Sequence, residues 1–563
     1  MKKRLIFLIA VLMGISAVLS GCGDAAGDVT GSQSGENNTD NGNVKRTLSP
    51  EAMAANQKNI FYQNITDLTG ADPFVLCCES GEYAGSFLMY STSRTLSARG
   101  FEVYQSRDLT HWEKLQDAFY PQGGTWGDTK MWAPEVIEDN GMYYLFYSAQ
   151  WGSMEYGLYI SVAASSSPAG PFNECVTDTK SVMEPLIRFE KHTDEIPEEL
   201  RSALKGHDGT EGYIKVIDAS PFVDPETGKK YLYMIADLGT TYTEASFVMG
   251  MEMGDWTTPK YETLTRLTEY GLTTPGGSEV IFDGGNTNEG CSVLYHEGRY
   301  YLTFSTFTYT STQYQVRQAI GESPLGPFVK VQPEDGGTVI STEIMGIRQS
   351  AGHSSFFTVG DELWLAYHTF YNDSTIDDGR KPAVEKLVFV ENSKGQKVLQ
   401  ANGPTSSPQL MPRALAGCGN IADQAQVSCD NTAPGSDIKL LTDGFVPMHK
   451  ITPVPGFEAD AGETTITFAF DDFVKLRNVL IYNSFNEMKR FTGIKAVLLE
   501  TDQGEIDLGP LEYSSAAYDE KGKTAYDYPA AYSFAETKVK TVTIQISSDV
   551  PVEIPEIYLA GRN

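Results

Sequence analysis

Positive charge is what this chain has least of. Its 43 Lys and Arg stand against 74 Asp and Glu, a formal net charge of -31. A phosphate backbone gains no electrostatic footing on such a surface, so nucleic acid is excluded as a partner. Cysteine is scarce too: none of the seven falls in a zinc spacing or a Cys-x-x-Cys pair. Cys77 and Cys78, as neighbours on a strand, face opposite ways. Cys418 and Cys429 flank a short polar loop, where a disulfide or two free thiols would both fit. Between residues 58 and 400 helical periodicity is nearly missing. What the chain does have is 53 Gly, 30 Tyr, 27 Phe and 41% hydrophobic residues, enough to bury a sizeable core and to exclude overall disorder.

Only one long apolar run occurs, Leu5 to Ser20 behind Met-Lys-Lys-Arg, and it is too short for a comfortable membrane span. It reads as an export signal. Its end, Leu19-Ser20-Gly21-Cys22, resembles the bacterial lipobox, which implies cleavage before Cys22 and diacylation of that thiol. Residues 1–21 are then a lipoprotein signal peptide, and 22–50, rich in Gly, Ser, Asn, Asp and Thr, a flexible tether. The expected location is extracytoplasmic, held to the bacterial cell membrane through the N-terminal lipid only.

Residues 51–400 carry a repeated three-part unit. Each copy opens on a strand that starts near a polar residue: Asp72-Pro73-Phe74, Ala133-Pro134-Glu135, Asp218-Ala219-Ser220, Glu289-Gly290-Cys291, Gly352-His353-Ser354. An aromatic strand follows, such as Tyr143 to Tyr147 or Tyr300 to Phe304, and then an outer strand closed by Trp112, Phe172, Trp256 or Phe328. Five copies predict five four-stranded blades around an axis, an all-β five-bladed propeller. Inner strands line the channel, so Asp72, Glu135, Asp218, Glu289 and His353 are expected in register at one mouth. Gathering like charges there costs electrostatic energy, which points to function rather than stability.

These blade openings resemble glycoside hydrolase family 43 over roughly residues 60 to 395. The resemblance rests on Asp72-Pro73, Trp132-Ala133-Pro134-Glu135-Val136, Ile217-Asp218-Ala219-Ser220-Pro221-Phe222 and Asn288-Glu289-Gly290, in type and order. It implies an inverting glycosidase with Asp72 as general base, Glu289 as general acid and Asp218 tuning that acid. Inversion needs about 6.5 to 9.5 Å between acid and base for the attacking water, and an ionised Asp218 beside Glu289 would raise the pKa of the acid. No cofactor is required. His353 resembles the family's axial His, which binds calcium through water or contacts sugar; orienting a carboxylate is the other reading. Trp132 is a stacking wall for sugar or a core aromatic, Glu135 a hydroxyl acceptor or a strand end, and Arg380 a substrate contact or a solvated loop residue. Two departures are visible: Cys291 replaces the usual Pro after Glu-Gly, and Cys77-Cys78-Glu79-Ser80 interrupts the first apolar strand. An insertion from 173 to 213, with a helix opened by Pro197 and closed by Gly206, is expected to wall the cleft or to decorate the periphery.

After a linker at 401–436, residues 437–563 alternate as short strands and predict a β-sandwich. Leu441-Thr442-Asp443-Gly444 and Glu556-Ile557-Tyr558-Leu559 resemble galactose-binding-like jelly rolls, with Tyr513, Tyr518, Tyr526, Tyr528 and Tyr532 as candidate sugar-stacking rings. The sequence thus reads as an inverting hydrolase of arabinofuranosyl or xylosyl linkages in poly- or oligosaccharides. The alternative, a non-catalytic glycan-binding surface lipoprotein on the same propeller, is disfavoured by three intact carboxylates. A phosphorylase would need a basic phosphate pocket, and a sialidase Asp-box repeats, which are missing.

Overall fold

The computed structural model describes residues 60–64, 68–93, 99–121, 126–151, 157–178, 180–201, 204, 215–237, 246–268, 272–273, 280–281, 287–341, 348–371, 379–405, 407–446, 455–484, 486–512, 516–518, 525–527 and 529–563. The export signal, the tether and Cys22 lie outside the described residues, as do Tyr513 and Tyr528.

Five antiparallel sheets follow one another along the chain. Their inner strands are Ala71–Cys78, Gly127–Asp139, Lys215–Val223, Glu289–His296 and Arg348–Val359. The second strands are sandwiched between neighbouring blades and read as continuous apolar runs. Ser86–Thr92, for example, is buried throughout, whereas the outermost strand of the same blade, Glu113–Phe119, is exposed over its first five residues. Apolar clusters glue each blade to the next. The ring is closed between the fifth blade and the first by Val75, Phe87, Phe357 and Trp364, with the Phe87 and Phe357 rings 6.0 Å apart and edge to face. The insertion between the second and third blades contributes Leu186, Ile187, Ile196, Leu200 and Leu204 to the cluster joining those blades, so these residues are core and not peripheral decoration. The described part of its helix is Glu198–Arg201, and Gly206 lies outside the described residues.

A second closure uses a buried carboxylate. Strand Phe61–Tyr62 pairs with Gln409–Leu410, and Tyr62 packs edge-on to Trp364 at 5.3 Å. Glu385, fully buried on the fifth blade, accepts hydrogen bonds from Tyr62 Oη (3.2 Å), Asn64 Nδ2 (2.8 Å), Thr405 N (2.7 Å) and Gln409 Nε2 (3.2 Å). Chain segments on both sides of the propeller therefore meet on one side chain. Glu385→Ala strands these donors in a dry site, at about 1–3 kcal/mol for each left unsatisfied. The expected result is a lower urea midpoint by several kcal/mol equivalent, read from chemical denaturation of the purified chain; an unchanged midpoint would show that Glu385 does not tie the closure.

The C-terminal part is also all-β. Its main sheet runs Gly419–Asn420, Ile557–Arg562, Gly462–Ile481, Ala530–Ser548, Ala496–Thr501, Gly504–Asp507, with Gln426–Cys429 also paired to Gly462–Ile481. Two expectations change here. Gly419–Asn420 and Gln426–Cys429 belong to this sheet, so part of the stretch taken as linker pairs with the C-terminal strands. The segments Thr465 to Phe470 and Val479 to Ile481 form one long strand rather than two. Tyr532 is buried, with its hydroxyl donating to Gly509 O at 3.1 Å, which removes it from the candidate stacking rings. Cys418 and Cys429 are free thiols. Asn402, just past the fifth blade, fixes the two units together: its Nδ2 donates to Gly444 O (2.8 Å) and Tyr558 Oη (3.3 Å), and Val446 N donates to its Oδ1 (3.1 Å).

Candidate active site

Every inner strand carries a bulge at the same place. The ladder to the second strand skips between Ala71 and Phe74, Trp132 and Glu135, Ile217 and Ser220, Glu289 and Ser292, Gly352 and Ser355. The first skipped residue in each blade has a positive φ: Asp72 (50°), Ala133 (47°), Asp218 (57°), Gly290 (57°) and His353 (48°). Left-handed backbone is costly for a residue with a Cβ, and bulges that re-aim side chains recur beside active sites. The true register is therefore Asp72, Ala133, Asp218, Gly290 and His353. Glu289 precedes its bulge by one residue and Glu135 follows its own by two, which corrects the expectation that all five polar residues share one level.

The bulge amides form a ring. Ala133 N donates to Thr92 Oγ1 (2.7 Å), Asp218 N to Ser148 Oγ (3.0 Å), His353 N to Ser305 Oγ (2.7 Å), and Asp72 N faces His368 Nδ1 (3.2 Å). Each acceptor sits on the second strand of the preceding blade, opposite the residue just before the bulge. In the third blade that position is Ile235, which has no acceptor. Gly290 N donates instead to Asp218 Oδ2 at 3.1 Å. The missing hydroxyl is what turns the Asp218 carboxyl toward the strand that carries Glu289.

Asp72 is 8% exposed and surrounded by donors. Arg380 Nη1 lies 2.9 Å and His353 Nδ1 3.2 Å from Oδ1, and Thr92 Oγ1 donates to Oδ2 at 2.7 Å, while His368 Nδ1, which accepts from the Asp72 amide, stands 3.2 Å from Oδ1. Burial would push this carboxyl up, but Arg380, His353 and His368 together hold it well below the usual carboxylate range. Both imidazoles are kept neutral by burial, His368 down to about 3. Arg380 is thus neither a solvated loop residue nor free to face a substrate alone. Its Nη1 also lies 3.4 Å from His368 Nε2, and the Tyr309 ring is 4.4 Å from the guanidinium carbon.

Glu289 shows the opposite shift. Burial raises its pKa to about 7, with the charge of Asp72 adding to it and the Tyr314 hydroxyl and Arg380 opposing. Asp218 is pushed well above the carboxylate range by burial, then by Glu289 and Asp72, against the Gly290 amide. The expected cause was an ionised Asp218 raising Glu289. Burial is instead the first cause at both carboxyls, and the charge of Glu289 adds to the rise at Asp218. Between this pair and Asp72 lies His353, whose ring is so close to Gly290 that a Cβ there would come within 2.7 Å of its Cγ. Only glycine fits that position. Tyr314 stacks on His368, ring centroids 5.6 Å apart, and lies over Gly352, where a Cβ would meet the ring at 2.0 Å. His368, Tyr314 and Thr92 escaped the sequence reading. The only signal for Thr92 and His368 was their place opposite the bulges, which needs the register.

Trp132 occupies the register position of Glu289, directly before the bulge. It is half-buried and belongs to none of the described core clusters, and its Nε1, itself buried, has no hydrogen-bond acceptor among the described residues. Glu135 lies deeper along its strand, buried, its pKa raised to about 8 by burial against a hydrogen bond from Ser220; it does not share the level of Asp72. Among the described residues no group of three His, Cys, Asp or Glu is placed to hold a metal directly, so at His353 most of the six to eight oxygen ligands that calcium takes would have to be water. The one carboxylate on His353, that of Asp72, is engaged by Arg380.

The chain is 24% identical over 304 residues to a β-D-galactofuranosidase of Aspergillus niger, covering 52% of this chain and 72% of that one. Among solved structures, a thermostable family-43 glycoside hydrolase is 28% identical and covers 62% of this chain and 99% of its own, at a TM-score of 0.48. An endo-1,4-β-xylanase from Bacteroides thetaiotaomicron is 26% identical over 60% of this chain and 95% of its own, at a TM-score of 0.44. The model of glycosyl hydrolases family 43 matches residues 63–187 and 205–394, which is more than half of the sequence and spans all five blades up to the closing one: the chain belongs to that family and is a glycosidase acting on O-glycosyl bonds.

Proposed function

We propose that the chain hydrolyses arabinofuranosyl or xylosyl linkages of poly- or oligosaccharides with inversion, Asp72 acting as base and Glu289 as acid. One observation carries the reading: within one site, one carboxyl is held ionised by Arg380 and two imidazoles while another is lifted to about 7, the division of labour that acid and base catalysis requires. Glu289 gives its proton to the leaving glycosidic oxygen as the C–O bond breaks. Asp72 takes a proton from the water that attacks the anomeric carbon from the opposite face. Asp218 keeps the proton on the acid's side of the site and orients it, and His353 holds Asp72 rather than a metal. Trp132 offers a flat face to a sugar ring. The relatives' names point to galactofuranosides in one case and xylan in another, so a five-membered furanoside ring and a xylosyl unit are both included in the test.

The experiment is hydrolysis by residues 46–563 of aryl α-L-arabinofuranoside, β-D-xyloside and β-D-galactofuranoside, with the anomer of the first product read by NMR. Inverted product from an arabinofuranoside or xyloside supports the proposal. Retained configuration, or turnover of the galactofuranoside alone, overturns it. We further propose that residues 437–563 complete a β-sandwich packed on the propeller, and that Cys22 carries the lipid that places the enzyme outside the cytoplasm. Fatty-acid labelling that is lost in Cys22→Ser tests the latter.

A further inference from the structure

A cavity of about 710 Å³ opens on the first blade beside the catalytic mouth, within the range of small-ligand pockets, ~300–1,000 Å³. It begins at Ser91, the neighbour of the Thr92 that holds Asp72, and at Thr69, whose hydroxyl accepts from Lys381 Nζ at 3.1 Å next to Arg380. Glu102, Tyr104, Lys114, Asp117 and Tyr120 line it as well. Nothing in the catalytic steps uses this space.

Its walls have a specific chemistry. The charges are matched within the wall: Lys114 Nζ bonds the Glu102 carboxylate and lies 2.9 Å from Asp117 Oδ1, and Tyr104 donates to Glu102 at 2.5 Å. An ionic ligand would have to break those pairs. Thr69, Ser91, Ser93 and Tyr104 bring hydroxyl groups to the walls, while Tyr120 stands 50% exposed, with the Arg99 guanidinium, also on the wall, 5.6 Å from its centroid. An aromatic face in a wall that also carries hydroxyl groups suits a neutral pyranose or furanose unit. Tyr120 is itself held in place: Gly100 packs so tightly on it and on Phe119 that a Cβ at Gly100 would meet Phe119 O at 2.4 Å.

We propose that this groove is a further subsite for uncharged sugar units of a chain whose scissile bond lies at Asp72 and Glu289, an inference that rests on the glycosidase function proposed above. It binds units remote from the bond, so it acts on long substrates and not on aryl monoglycosides.

The test is Tyr120→Ala, with Tyr120→Phe as the conservative control, on an aryl glycoside that the parent cleaves and on arabinopentaose and xylopentaose. The expected result is a KM for the cleaved pentaose raised on the order of tenfold in Tyr120→Ala, restored in Tyr120→Phe, with aryl-glycoside kinetics unchanged. Equal pentaose kinetics in parent and Tyr120→Ala would overturn the subsite and leave the glycosidase standing. Should the parent cleave nothing, the function above falls, and calorimetric titration of the same pentaoses decides the groove separately: binding weakened in Tyr120→Ala supports it, and no binding by the parent overturns it.

Discussion

Glu289→Gln is expected to lower kcat on an unactivated glycoside by a factor of about a hundred to ten thousand. The amide keeps the size and polarity of the side chain but has no proton of suitable acidity for the leaving oxygen. A substrate whose leaving group departs without protonation, such as a nitrophenolate, should suffer far less. The pH profile supplies the second readout. Glu289 acts in its protonated form, and burial places its pKa at about 7, so kcat/KM of the parent should fall as pH rises through that value. Asp72 acts ionised and is held well below the usual carboxylate range, so the acidic limb should lie below that range and leave a broad plateau between. Glu289→Gln should keep the acidic limb and lose the alkaline one. An alkaline limb that survives the substitution would mean that another group, Asp218 or Glu135, is the acid.

Which parts of this were legible in the sequence depends on the kind of information each needed. The blades were readable because a strand pressed between two neighbours must be apolar on both faces, and Tyr231 to Met234 or Tyr300 to Phe304 have no other soluble home. The three carboxylates were readable because each opens a repeat. What escaped was register. A bulge shifts the ladder by one residue and reverses which side chain faces the axis, and no local pattern marks its position when the bulged residue is Asp72 in one blade, Ala133 in another and Gly290 in a third. Hence Glu289 and Trp132 turned out to be equivalent, Glu135 fell deeper than expected, and Ile235, an unremarkable apolar residue on its strand, proved to be the reason Asp218 turns to the Gly290 amide. His368 and Arg380 belong to the fifth blade and reach Asp72 across the closure of the ring, nearly three hundred residues or more away in the chain. Only closure of the propeller brings them there.

Asp72→Asn carries the second large expectation, and its signature differs from that of the acid. Water must lose a proton to attack whichever leaving group departs, so kcat should fall on nitrophenyl glycosides and natural linkages alike, by about a thousandfold or more, near the upper part of the range for removing a general base. The acid's loss can be relieved by a better leaving group; the base's cannot. Loss of the negative charge also leaves Arg380, now 2.9 Å from Oδ1, without its carboxylate partner, and removes one of the charges that raise Glu289. The alkaline limb of whatever activity survives should therefore move to lower pH. Truncation to Asp72→Ala opens room where the attacking water stood, and azide, which needs no base, should restore turnover there: it attacks the anomeric carbon, Glu289 protonates the departing oxygen, and the product is a glycosyl azide of inverted configuration. A glycosyl azide of retained configuration would place a covalent intermediate on the path and remove Asp72 from the role of base, because the geometry of a single displacement permits only inversion.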